Sequence, residues 1–482
     1  MGWELEEVEK PFVLQLKQLN WTHLEGDIDD PALSGRTSFA EVIQGGVLRK
    51  QLHALNLGPG GQPWLDEARV SEAVSVLTRL GTHKLMESNQ KATELLIKGV
   101  TAEGLPGWDG GRGQTIHYID WEHAERNEFT VVNQYRVDCP PGYNSGKAFI
   151  VPDLVLLVNG IPLVVVECKS PSIPEPLAEA VDQLRRYTNQ RHADHEVDDN
   201  EGNETLFHTN QLLIATSFDE ARVGTIGAAF RHYAAWKTVV PRTEEEVAAA
   251  LSKPQLSEQE RLIAGLLDKR TLLDVVRHFI LFMQVDGQTV KALCRYQQYR
   301  AVMHAIKRLR TGKTRLEDGE YDRRDGIIWH TQGSGKSLTM VFLVRKLRTD
   351  PKLRRFKVVI VTDRTDLEKQ LSGTASLTNE TVEKATTANG LRRLLRAHGP
   401  GLVFGMIQKQ RGGDMASDSA SADDPLGHAQ VPQMATQDVI NADDTILVLI
   451  DEAHRSQAGD LHAASKRAFP MPLASALPAP PS

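Results

Sequence analysis

Two groups of residues in this sequence have the types and spacings of reactive chemistry. The first flanks the apolar stretch "VPDLVLLVNGIPLVVVECKSP" (151–171), with Asp153 near one rim and Glu167 and Lys169 at the other. Asn159-Gly160 between two Val/Leu/Ile runs predicts a hairpin closed by a type I′ turn. Folding there pairs Asp153 with roughly Lys169 and sets Glu167 nearby. Two carboxylates so placed could share a Mg²⁺ ion, which takes hard oxygen ligands and keeps several waters. Lys169, on the same strand face as Glu167, could stabilise a developing phosphorane charge or orient an attacking water. Gln183 and Tyr187 stand i and i+4 on the next expected helix (177–190) and could line the same cleft. The plainer alternative is a salt bridge at a sheet end between Lys169 and one carboxylate.

The second group lies in "GIIWHTQGSGKSLTM" (326–340), an apolar strand, a tight loop and a helix opening at Lys336-Ser337. Loop residues Gln332, Gly333, Ser334 and Gly335 lead into that helix. Backbone amides from Gly333 to Ser337 can cradle phosphates, Lys336 can reach the β and γ groups of ATP, and Ser337 can ligate Mg²⁺. A strict P-loop begins with Gly, and His330 stands there instead. Downstream, "TILVLIDEAHRSQ" (445–457) ends an apolar strand in Asp451-Glu452, beside the same crevice of a parallel sheet. Asp451 is placed to hold the Mg²⁺ and Glu452 to position and deprotonate the attacking water. His454 and Gln457 could sense the nucleotide.

These groups must be carried by a fold. A chain of 482 residues suggests two or three domains. From "FTVVNQYRVD" (129–138) onward the pattern turns to Val- and Tyr-rich strands, both hairpin arms being apolar on both faces as in a covered strand pair. Residues 241–275 read as helical and as a join. The following strands "GIIWH", "KVVIVTD", "GLVFGMI" and "TILVLID" alternate with helices, which means a parallel sheet with crossovers. The expected division is α/β throughout: 1–255 with the first site, 256–470 with the second and a surface insertion at about 411–443, and an irregular Pro/Ala-rich tail at 471–482. Residues 1–110 carry no usable motif.

The formal net charge of −7 excludes a generally basic nucleic-acid binder. Local basic runs remain, with ten Lys or Arg against four Asp or Glu in 291–324. Three distant cysteines suggest neither a disulfide framework nor a zinc site and fit a reducing, cytoplasmic setting. No secretory signal and no apolar run long enough to span a bilayer is expected.

The first group resembles the PD-(D/E)xK nuclease superfamily, with its αβββαβ core. That resemblance implies that Asp153 and Glu167 hold Mg²⁺ and that Lys169 assists phosphodiester hydrolysis. The Gln183-x-x-x-Tyr187 helix is similar to the accessory motif of the RecB-like branch. The second group resembles superfamily 2 helicases. There "RYQQYRAV" (295–302) looks like the adenine-recognising Q motif, with Gln298 ahead of Gln297 as the ligand, and "VTDRTDLEKQL" (361–371) looks like the DNA-touching motif Ia.

A nuclease followed by such an ATPase, over roughly residues 120–470, resembles the restriction (R) subunit of type I restriction–modification systems. The resemblance implies a type I site-specific deoxyribonuclease and ATP-dependent translocase. It would cut unmodified foreign duplex DNA away from the recognition site, working with modification (methyltransferase) and specificity subunits. A family member should continue after "HAASKRAFP" into a second RecA-like domain, so the sequence reads as a truncated form with impaired translocation. The competing expectations are a DNA-repair helicase–nuclease and a non-catalytic remnant that binds DNA or the methyltransferase.

Overall fold

The structure, a computed structural model, describes residues 4–80, 84–105, 108–140, 148–189, 202–329, 335–362, 382–385, 388–406, 443–450 and 473–477. They form two compact units, Met1–Tyr296 and Gln297–Ser482.

The first unit opens on a π-helical turn, Leu5–Glu9, that continues into helix α1 (Lys10–Gln18). Its centre is a six-stranded sheet. In sequence order the strands are β1 (Thr22–Glu25), β2 (Phe129–Asn133), β3 (Leu154–Val158), β4 (Ile161–Cys168), β5 (Leu212–Ser217) and β6 (Glu220–Gly224), and they lie side by side in that order. β3 runs antiparallel to both its neighbours, β2 and β4. Helix α2 (Pro176–Tyr187) then crosses over so that β5 returns parallel to β4. Every residue of β3 and β4 is buried, which is why both arms read as unbroken apolar runs.

The β3–β4 turn is the expected two-residue one, with Val158 opposite Ile161 and both Asn159 (φ +53°) and Gly160 (φ +77°) in the left-handed region. Asn159 is fixed by more than its backbone. It accepts from the Glu128 amide at 2.8 Å and donates to the Tyr118 carbonyl at 2.9 Å and to Asn127 Oδ1 at 2.8 Å. A Cβ on Gly160 would lie 2.7 Å from the Gln44 carbonyl oxygen. Gly160→Ala is therefore expected to destabilise this unit by about 2 kcal/mol, from left-handed strain plus the clash. Chemical denaturation followed in that unit checks it.

The register differs from expectation. It slips by one residue between Leu156 and Leu157, so Leu154 faces Val166. Continued one step, that register sets Asp153 level with Glu167 rather than Lys169. The slip matters because side chains alternate faces; without it Asp153 would stand opposite Val166, and Glu167 would point to the other side of the sheet.

Residues 256–296 belong to the first unit and not, as their place after the expected join implied, to the second. Their helices and hairpin are tied into it: Trp21 Nε1 donates to the Leu267 carbonyl at 3.1 Å, and Lys291 Nζ to Asn89 Oδ1 at 2.8 Å and the Asn210 carbonyl at 2.7 Å.

The 280–293 hairpin of the first unit supplies strands β7 (Ile280–Val285) and β8 (Gln288–Leu293), and the second unit begins at Gln297, the second residue of α3 (Tyr296–Thr311), and is built on a six-stranded sheet. Strand β9 spans Gly326–Trp329, β10 Lys357–Thr362, β11 Val382–Ala385, β12 Gly401–Met406, β13 Ile446–Ile450 and β14 Leu473–Leu477, with helices α4 (Lys336–Thr349) and α5 (Ala388–Arg396) between them. The sheet order is β9-β14-β13-β10-β12-β11, and every pairing is parallel. β14 falls in the stretch expected to be irregular. "LASAL" has little intrinsic strand preference, but both neighbours β9 and β13 offer it a parallel ladder, and that context overrides propensity. The expected insertion and the motif Ia residues after Thr362 lie outside the described residues, save Asp443 at the insertion's end. Among the described residues no helix is long and apolar enough to cross a membrane.

Candidate active sites

The end of the β3–β4 hairpin gathers the first group. Asp153 sits just before β3, where its Oδ2 accepts the Cys168 amide at 2.7 Å, while the Gln134 amide donates to its carbonyl at 2.9 Å. Glu167 is the penultimate residue of β4 and is fully buried. Its Oε1 accepts Lys169 Nζ at 2.7 Å, whereas its Oε2 is buried without a hydrogen-bond partner. Lys169 itself is pinned by its amide, which donates to Thr216 of β5 at 2.9 Å.

Helix α2 reaches the same place through its expected pair. Gln183 Nε2 donates to the Tyr187 hydroxyl at 2.6 Å, and that hydroxyl donates to the Val151 carbonyl at 3.1 Å. The contact lies two residues before Asp153, so Gln183 and Tyr187 hold the approach to Asp153 rather than touching its carboxylate.

The electrostatics show a shortage of positive charge. Burial pushes the Asp153 carboxyl up to about 6, against the Cys168 amide and the Lys169 charge, which lower it, and with a smaller push from Glu4. Burial and the repulsion of Asp153 raise Glu167 well above the usual carboxylate range, and Lys169 only partly offsets them. Burial works against the Lys169 ammonium, but the Glu167 carboxylate beside it raises its pKa above the ordinary value, so it stays charged. One ammonium therefore faces an acidic cluster that it cannot neutralise.

A hard divalent cation suits that cluster. The orphaned Glu167 Oε2 and the Asp153 carboxylate are oxygen donors of the right class, and Mg²⁺ is commonly bound by one or two carboxylates with the remaining positions left to water and phosphate. Among the described residues no group of three or more metal-ligating side chains could enclose an ion unaided.

In the second unit Gly335 caps α4 in the left-handed conformation (φ +80°, ψ +40°), and Lys336 and Ser337 are the first two residues of the helix. Gln298, buried on α3, donates from Nε2 to the Gly335 carbonyl at 2.9 Å, while Gln297 is exposed. A Cβ on Gly335 would sit 2.7 Å from that Nε2, so glycine permits both the turn and the contact. Gln332, Gly333, Ser334, Asp451, Glu452 and His454 lie outside the described residues, as do His330 and Gln457. The strands leading into them are described. β9 and β13 are parallel and separated by β14 alone, so their carboxyl ends stand two strand spacings, about 10 Å, apart.

Comparison with known proteins bears on both units. A family description of the type I restriction enzyme R protein N terminus matches residues 4–232, and one of the SWI2/SNF2 ATPase matches residues 297–477. The type I restriction enzyme HindI endonuclease subunit of Haemophilus influenzae is 33% identical over 464 residues, 94% of this chain and 39% of that protein. The two matches together are those of a type I restriction enzyme R protein. A putative type I restriction enzyme endonuclease subunit of Methanocaldococcus jannaschii, MjaIXP, is 27% identical over 475 residues, 96% of this chain and 41% of that protein. The chain thus spans about two-fifths of the length of these curated relatives.

The first site also holds acidic residues from residues 1–110, where the sequence offered no usable motif. Glu9, 3% exposed, closes the π-helical turn before α1. Burial first and the Asp153 charge second push its carboxyl up to about 7, against hydrogen bonds from Asn133 and Gln134. Glu4, at the start of the same segment, adds its charge to Asp153, Glu167 and Glu9. A signal was available. Val8, Phe12, Val13 and Leu16 form the buried stripe of this helical segment, and Glu9 stands on its edge, an acid where an amphipathic helix has no reason to place one.

Proposed function

We propose that this chain is the endonuclease and ATP-driven translocase part of a type I restriction complex, cutting unmodified duplex DNA away from the site its partners recognise. The observation that carries the reading is the convergence of Asp153, Glu167 and Lys169 at one hairpin end with Glu167 Oε2 left unpartnered. The helix, three antiparallel strands, crossover helix and parallel strand around it support a PD-(D/E)xK core. The all-parallel sheet of the second unit supports a first RecA-like domain.

In this reading Asp153 and Glu167 hold Mg²⁺. When bound, Mg²⁺ supplies Lewis-acid polarisation of the scissile phosphate and a more acidic water. Lys169 offers its ammonium to the charge that grows on phosphate oxygens and is kept protonated by Glu167. Tyr187 and Gln183 hold the Val151–Asp153 segment in register with β4. In the second unit Lys336 and Ser337, with Gln332, Gly333, Ser334 and Gly335, bind the ATP phosphates. Gln298 joins the nucleotide pocket to the loop, Asp451 and Ser337 serve Mg²⁺, Glu452 activates water, and His454 relays the nucleotide state. The partners are duplex DNA and the modification and specificity subunits, in the cytoplasm.

The test measures conversion of supercoiled plasmid and release of phosphate from ATP by the chain together with its cognate methyltransferase. Mg²⁺-dependent cleavage abolished by chelation is the expected result. A folded chain that associates with the methyltransferase but never cuts would overturn the nuclease assignment.

A further inference from the structure

Helix α3 carries a second feature that the nucleotide pocket does not use. Its inner face buries Gln298, Tyr299, Val302, Ile306 and Leu309. Its outer face exposes Arg300, His304, Lys307 and Arg308, at the i, i+4, i+7 and i+8 positions of one helical stripe, and exposed Lys313 and Arg315 follow directly. Residues 287–316 hold eight Lys or Arg and not one carboxylate, in a chain whose net charge is −7.

An ordinary solvated helix face alternates its charges, so that i,i+4 pairs neutralise one another. Other arginines in this unit are neutralised by carboxylates: Arg310 pairs with Asp350, Arg323 with Asp318 at 2.8 Å and Arg324 with Asp322 at 2.7 Å. Arg300, Lys307 and Arg308 form no ion pair with any described carboxylate. The stripe is thus a row of like charges left open to solvent. From Arg300 to Arg308 it extends about 12 Å along the helix. That length suits an extended polyanion better than a point anion, since duplex DNA presents a phosphate charge every ~1.7 Å of its axis.

We propose that the outer face of α3, led by Arg300, Lys307 and Arg308, is a phosphate-contact ladder for duplex DNA, separate from the nucleotide pocket on the helix's inner face. This rests on the reading that the chain acts on DNA. The ladder contacts backbone phosphates only, so it contributes affinity and salt dependence without sequence preference.

The experiment measures the affinity of the full chain for a short duplex of arbitrary sequence across a KCl series. It compares the wild type with the triple variant Arg300→Gln/Lys307→Gln/Arg308→Gln. A control triple, Arg79→Gln/Lys91→Gln/Lys98→Gln, removes the same charge from exposed positions of the first unit. The ladder variant is expected to bind at least tenfold more weakly at ~100 mM salt and to lower the slope of log K against log salt by about 3. The control is expected to keep the wild-type slope. Equal losses in both variants would mean net charge alone, and an unchanged slope in the ladder variant would also overturn the proposal, in either case leaving the DNA-acting reading intact. A ladder variant that binds DNA normally but no longer captures the methyltransferase would assign the face to a protein partner instead. Absence of DNA binding by the wild type would remove the ladder and the underlying reading together.

Discussion

Lys169→Ala is expected to reduce Mg²⁺-dependent cleavage of duplex DNA by about 10²–10³-fold, the range for losing one preorganised group that stabilises transition-state charge. The loss falls on kcat, because Lys169 Nζ is turned inward onto Glu167 Oε1 and matters most when charge grows on the phosphate. Asp153→Ala should be at least as damaging. It removes a metal donor and also frees the Cys168 amide from the side chain that accepts it. ATP hydrolysis measured in the same preparations should be unchanged in both variants, since these residues belong to the first unit and the nucleotide loop to the second. Cleavage that persists in Lys169→Ala within a factor of three would reduce the ion pair to the plain sheet-end salt bridge that the sequence also allowed.

How much of this was legible beforehand depends on the range of the signal. The turn was, because Asn159-Gly160 is a local instruction: two residues that accept left-handed backbone between two apolar arms. The strand–helix alternation of the second unit was legible for the same reason, as period and composition change within a few residues of each boundary. The register was not. One residue of slip near Leu156 decides whether Glu167 shares a face with Asp153, and nothing in a run of Ile, Leu and Val marks where the slip falls. Glu9 was missed because its partner Asp153 is 144 positions away, a contact made only when the first helix closes over the sheet. The strand Leu473–Leu477 and the place of residues 256–296 were misread for a related reason. Both are settled by neighbours distant in sequence, β9 and β13 for one and Trp21, Asn89 and Asn210 for the other.

The same acidic cluster makes an expected stability effect, and its sign distinguishes a functional site from a structural one. The Asp153 carboxyl stands at about 6 against an ordinary 3.8, so without metal the folded state holds a proton that the unfolded chain releases. A group raised in this way favours folding fully below its unfolded value. That contribution is lost as pH climbs from 3.8 to about 6, and above it the ionised carboxylate is a standing penalty. A shift of this size corresponds to about 3 kcal/mol at ~1.4 kcal/mol per unit. Asp153→Asn keeps an oxygen to accept the Cys168 amide and removes the charge. It should therefore stabilise the metal-free first unit by about 2–3 kcal/mol at pH 8 and leave it unchanged near pH 3.5. Added Mg²⁺ should raise the melting temperature of the wild type at pH 8 and leave the variant nearly unmoved, because only the wild type gains a ligand that binds the folded state. Calorimetric scans at the two pH values, with and without Mg²⁺, give all four comparisons. A variant less stable than the wild type at pH 8 would mean that Asp153 is structural, held for its bond to β4. The pair Asp153–Glu167 would then need no ion to explain it. The gain is expected because the Lys169 charge only partly offsets the burial of Asp153 and Glu167 and the acidic charges beside them. A fold that bears such an imbalance for no ligand would be carrying stability loss without function.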